Sequence, residues 1–216
     1  MASLVQDVWL GWDPRLRGLR LAPWEEPRAR LLFHLDAGET LGDAPVLPFL
    51  EALAGRLEVL AWEPRGQGGS AGRFGPEILD DAQRLAAEGA SRWGALPLVV
   101  GGQGLGGWLA LALASTPGVR AALALAPALA AAGPEPSSPL RADLARALAR
   151  EPLAVPALVL EGRERPAAEA EAVGQWLLRE PRATRLVAGG GDSGLLAPPW
   201  PAVIAAWAEA AADGAA

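Results

Sequence analysis

The sequence predicts an α/β architecture, a mostly parallel sheet covered by helices. Short apolar runs alternate with longer helical patterns almost from end to end, and a glycine-rich turn joins one such run to a helix in mid-chain. Of the 216 residues, 51% are hydrophobic, enough to bury one large core, so one domain over 1–216 is expected.

The elements follow in order. VWLGW and LRLAPW open as a pair of strands joined through DPRLRG. RLLFHL (30–35), LEVLAW (57–62), LPLVVG (96–101), VRAALALAP (119–127), PALVLEG (156–162) and ATRLVAG (183–189) complete about eight strands. Helices are predicted over 45–55, 77–92, 105–115, 139–150, 167–179 and 200–212. Pro45 and Pro76 lie near first-turn positions, and Glu77, Asp80 and Asp81 near a positive helix end. The segment AAAGPEPSSP, from Ala130 to Pro139, disfavours regular structure, so a cap is expected to be minimal or absent, a short segment about 128–152.

A net charge of -6 and a pI near 4.9, with arginines scattered singly or in pairs, argue against a nucleic-acid surface. With no cysteine, disulfides and thiolate chemistry are excluded, and the single His34 leaves no histidine cluster for a metal. Neither metal nor cofactor is expected. MASLVQDVWLGW lacks a signal peptide's basic start and apolar core, and no apolar run reaches the roughly 18 residues of a membrane span, so a soluble cytoplasmic protein without membrane contact is expected. Lys, Asn and Tyr are absent, which reads as a GC-rich coding bias.

The stretch VVGGQGLGGWLALALA, Val99 to Ala114, admits two readings. Gly102, Gly104 and Gly107 spell G-x-G-x-x-G, a dinucleotide fingerprint. That motif belongs to a first βαβ unit and wants a carboxylate at the end of the next strand. Here several strands precede it, and the next strand ends in Ala126 and Pro127. Alternatively, Gly102 and Gly106 frame a nucleophile elbow whose central residue is Gly104.

The second reading is joined by others in order. LLFHLDAGET resembles an oxyanion strand and loop, AWEPRGQGGS a D-x-R-G-x-G-x-S turn, and GGQGLGGWLALALA the elbow and its helix. ALVLEGRERP resembles a strand bearing a catalytic acid, and VAGGGDSGLLAPPWPAVIAAW a histidine loop with the last helix. From Arg30 to Trp207, about four-fifths of its length, the chain resembles the α/β-hydrolase fold superfamily of esterase-like serine hydrolases. The resemblance implies an ester or acyl hydrolase, yet it fails at each chemical point. The elbow centre, where a nucleophilic oxygen or sulfur must stand, is Gly104. In G-x-x-D after the acid strand, Gly162 puts the acid position at Arg165, with Glu164 one residue away. In G-x-G-H, Gly189 and Gly191 put the histidine position at Asp192, a poor proton shuttle at neutral pH. The oxyanion His-Gly reads His34-Leu35.

No catalytic residue is therefore expected intact, and the leading expectation is a pseudoenzyme that keeps the fold and a small-molecule cleft. Two alternatives stand beside it: a hydrolase in which His34, Asp36 or Asp192 activates water, and an interaction module. Glycine at the elbow accepts the positive φ that strains a nucleophile. The exchanged charges at Arg165 and Asp192 predict a salt bridge in place of the acid-histidine contact. His34, Leu35, Asp36, Gln103, Leu105 and Trp200 are the candidate cleft residues. His34 and Gln103 are expected mainly to hold structure, and Arg65 and Ser70 to stabilise their turn. A homo-oligomer is compatible with the sequence without being indicated by it.

Overall fold

Eight strands form one sheet in the order β1-β2-β4-β3-β5-β6-β7-β8 in the computed structural model, which describes residues 4–11, 13–128, 138–149 and 152–214. The strands are β1 (Leu4–Leu10), β2 (Leu16–Ala22), β3 (Arg30–His34), β4 (Glu58–Trp62), β5 (Leu98–Gln103), β6 (Val119–Leu125), β7 (Ala157–Glu164) and β8 (Ala183–Gly191). β2 pairs antiparallel with β1 and with β4, and all other pairings are parallel. The helices are α1 (Val46–Leu53), α2 (Ile78–Trp93), α3 (Leu105–Leu113), α4 (Pro139–Leu148), α5 (Ala167–Leu177) and α6 (Trp200–Ala212).

Strand alternation sorts the apolar residues into two cores. Leu32, Leu60, Val100 and Val159 meet α2 to α5 on one face, where Trp108 and Trp176 pack edge to face at 6.2 Å. Leu31, Phe33, Val59 and Leu158 meet α1 and α6 on the other, through Phe49, Leu50 and Ile204. β3 and β4 are buried along their whole length, as continuous apolar runs in a covered parallel sheet should be. Each such Leu or Phe contributes about 1.5–3 kcal/mol on burial.

The opening hairpin corrects the sequence expectation. β1 begins at Leu4 and pairs Leu10 with Leu16, ending at Gly11, whose φ of 69° turns the chain out of the ladder. Trp12, at the end of the expected VWLGW strand, lies outside the described residues. β2 stops at Ala22, and Trp24 is left 74% exposed. The expected cap segment falls partly on the undescribed residues 129–137 and 150–151, as does most of AAAGPEPSSP. Within that span, α4 sends Leu140 and Leu144 into the first core.

In the sheet β3 lies between β4 and β5, and the crossover helices α1 and α2 cover opposite faces. The order of the sheet thus reverses beside β3, and the crevice beyond the carboxyl ends of β3 and β5 is where open α/β sheets hold ligands. The loop after His34 and the turn at Gly104 both lie at this position. No helix among the described residues is long and apolar enough to cross a membrane.

Candidate functional site

The elbow is built from backbone. β5 runs into Gly104, with φ 55° and ψ -118°, and α3 starts at the next residue. A β-carbon on Gly106 would overlap the carbonyl of His34, so strand, helix and neighbouring strand meet main chain to main chain. The Gly104 N–H donates to Leu125 O at 2.9 Å, and its carbonyl accepts from Ala128 N at 3.0 Å. The turn keeps the positive φ that would strain a residue bearing a side chain, and glycine adopts it without that cost.

Asp36 occupies the space thus left. A β-carbon on Gly104 would overlap the Asp36 carboxyl group at its carbon and both oxygens. Asp36 Oδ1 accepts from Leu105 N and from Ala37 N, each at 2.8 Å. Leu105 N–H is the first amide of α3, at the positive helix end. An N–H after the elbow and another from the oxyanion loop are the pair that would meet a developing oxyanion in the superfamily pattern. Here both end on one carboxylate oxygen. Burial raises the Asp36 pKa; the two amide bonds lower it and the charge of Glu169 raises it.

The loop is pinned from several sides. Glu39 Oε2 accepts from Asp36 N at 3.1 Å, and burial raises the Glu39 pKa also. Buried Glu63 accepts from Leu41 N at 3.1 Å and Gly69 N at 2.6 Å, tying this loop to the turn after β4. In that turn Ser70 Oγ donates to Glu63 O at 2.7 Å, and Arg65 grips Asp81 with two bonds of 2.6 and 2.8 Å.

His34 is fully buried among the first-core strands. The Trp62 indole N–H donates to its Nδ1 at 2.8 Å, which puts the ring proton on Nε2, and that atom has no hydrogen-bond partner among the described residues. Burial lowers its pKa to about 3, so it is neutral at physiological pH. Leu35 and Leu105 are also fully buried, in the second and first cores respectively. Asp36, Gln103 and Trp200 remain partly exposed. Gln103 Oε1 is itself buried without a partner among the described residues, and Trp200 leans on the second core at the start of α6.

Arg165 and Asp192, expected at the acid and histidine positions, do face each other, with Nε 4.0 Å from Oδ2. Each is hydrogen-bonded elsewhere. Arg165 donates to Glu161 and, at 2.8 Å, to Pro127 O, while Asp192 Oδ1 accepts from Gly162 N at 2.7 Å. The expected pair is thus a secondary contact. Glu161, buried on β7 and also bound by Arg185, is the principal partner. Sequence reasoning missed it, although a carboxylate inside an apolar strand with an arginine four residues on was the available signal. Glu164 is exposed at the end of β7. Among the described residues no cluster of three or more His, Asp or Glu is placed to hold a metal ion.

Strand order, crossovers and elbow together are those of the α/β-hydrolase fold. An alpha-beta serine hydrolase homologue from Coxiella burnetii matches with a TM-score of 0.72 at 15% identity, covering 98% of this chain and 97% of that one. The esterase Pf2001 of Pyrococcus furiosus matches at 0.73 and 15% identity, covering 95% and 89%. Est1E of Butyrivibrio proteoclasticus, solved with ferulic acid bound, matches at 0.74 and 13% identity, covering 94% and 96%. No protein-family model matches the sequence, and a search of curated proteins returns no significant match.

Proposed function

We propose that this chain is a catalytically lapsed, esterase-like hydrolase that keeps the fold without acyl-enzyme chemistry. The observation that carries this reading is the Asp36 carboxyl, which fills the space beside Gly104 and takes the Leu105 and Ala37 amides. Acyl transfer needs an exposed nucleophile, a base within reach and free donors for the oxyanion. Gly104 supplies no nucleophile, and His34 is buried and neutral. Both amides already donate to the Asp36 carboxyl and are not free to receive an oxyanion.

The displaced-chemistry reading draws less support. His34 Nδ1 is committed to Trp62, and Asp192 Oδ1 to Gly162. What the crevice offers a small-molecule ligand is Asp36, Gln103 and Trp200, the three candidates partly open to solvent. Purified protein assayed with p-nitrophenyl esters of two to eight carbons should show no saturable rate above buffer. A saturable rate abolished by Asp36→Asn or Asp192→Asn would overturn the proposal.

A further inference from the structure

We propose that a cavity at the far end of α3 from the elbow binds an apolar alcohol, an uncharged ligand that the Gly104 turn takes no part in holding. The cavity has a volume of about 610 Å³ and is lined from α2, α3, α4, α5 and the segment that follows α4. Small-molecule sites commonly enclose about 300–1,000 Å³ within mostly apolar walls. The deep wall here is apolar: Leu111, Leu153 and Trp176 line it, and each is buried. Ala112, in the last turn of α3, lies about 12 Å along the helix from Gly104, so the cavity is a place separate from the crevice beyond β3 and β5.

Small side chains open this gap. α3 contributes Ala112 and α4 contributes Ala147, where two larger residues would close the space between the helices. The buried residues of α4 are Leu140 and Leu144, both before the turn that lines the cavity, and Leu148 at its end is only partly buried. The deep wall is fixed without a ligand. Trp176 packs edge to face on Trp108 at 6.2 Å, and the Leu153 N–H donates to buried Glu180 at 2.9 Å. A ligand that enters has little of this wall to order.

The lining chemistry selects the head of the ligand. Its polar side chains are those of Gln83, Ser115 and Thr116, an amide and two hydroxyls, and none of the described lining residues is charged. A hydroxyl can both donate to these groups and accept from them. A carboxylate drawn in with its apolar body would meet no cation, and it would meet the last turns of α3, α4 and α5, whose C-terminal ends carry negative potential. An ammonium would feel the weak pull of those ends, but with no carboxylate in the lining that pull is smaller than the cost of taking it out of water. The neutral head is the one that can follow its apolar body inward.

Isothermal titration calorimetry of the full chain at neutral pH tests the site, with 4-phenyl-1-butanol, 4-phenylbutanoate and 4-phenylbutylammonium as probes of one shape and three charges. Ala112→Phe and Ala147→Phe fill the cavity from two different helices, and far-UV circular dichroism checks that each variant folds. The wild type should bind the alcohol one to one, at least about tenfold more tightly than either charged probe, and each variant should lose that binding. No saturable heat with the alcohol, a charged probe bound as tightly, or a folded variant that still binds would each overturn the proposal. So would a wild-type dimer in sedimentation velocity that Ala112→Phe dissociates, since a second copy would then be the occupant.

Discussion

The Asp36 carboxyl group and Gly104 share one space: the side chain that an elbow residue would carry is excluded by a carboxylate held at 2.8 Å on the Leu105 and Ala37 amides. The two residues are therefore coupled, and the fate of one constrains the other. Gly104→Ala should destabilise the fold by about 2–4 kcal/mol, combining a non-glycine residue at positive φ with overpacking against Asp36. Adding Asp36→Gly should restore part of that loss. Urea unfolding of the two single variants and the double variant gives the coupling energy directly, and strict additivity would deny the contact.

Asp36 also sets a pH dependence. Burial raises its carboxyl pKa, so the folded state binds this proton more tightly than the unfolded chain does. Its contribution is most favourable at low pH and declines as pH rises through the ordinary carboxylate value and past the raised one. Asp36→Asn keeps an Oδ1 acceptor and removes the charge. In chemical denaturation the variant should gain on the wild type at pH 7.5, and the gap should close as the buffer is taken toward pH 4.

His34 acts in the opposite sense. Its folded pKa of about 3 lies below the unfolded value of 6.5, so the stability that rests on a neutral imidazole is complete above 6.5 and is lost as pH falls toward 3. The loss is about 1.4 kcal/mol per pH unit, or about 2 kcal/mol by pH 5. His34→Gln should be less stable than the wild type at pH 7.5 but should lack this component of the acid slope. Thermal melts at half-unit pH steps separate the two curves.

Arg165 neutralises a carboxylate that is 1% exposed. Arg165→Met leaves Glu161 with Arg185 alone and strips the donor from Pro127 O, so a destabilisation of about 3 kcal/mol is expected. Combined with Glu161→Gln the loss should shrink. Equal losses in both backgrounds, measured by urea unfolding, would assign Arg165 to Asp192 instead.

Much of the fold was legible because it rests on local patterns. The apolar runs at 30–35 and 57–62 and the helices at 105–115 and 200–212 lie within two residues of β3, β4, α3 and α6. The hairpin slipped because Trp-Leu-Gly looks extended, whereas pairing is stopped by the positive φ of Gly11. At the site, the flanking glycines were the signal that singled out Gly104, Arg165 and Asp192. Their partners were not marked in this way. Asp36 and Leu105 are 69 residues apart and meet only through the β3–β5 register, and Arg165 chooses Glu161 over Asp192 by geometry that no spacing encodes.

On the proposed function, the Asp36 carboxyl blocks the space beside Gly104 and occupies the two amides that an oxyanion would need. This is tested most directly by intact-mass detection of a fluorophosphonate adduct on two rebuilt proteins. One carries Gly104→Ser, Arg165→Asp and Asp192→His, and the other adds Asp36→Gly. The first should carry no adduct and the second a serine adduct; labelling of both at the same rate would show that Asp36 blocks nothing.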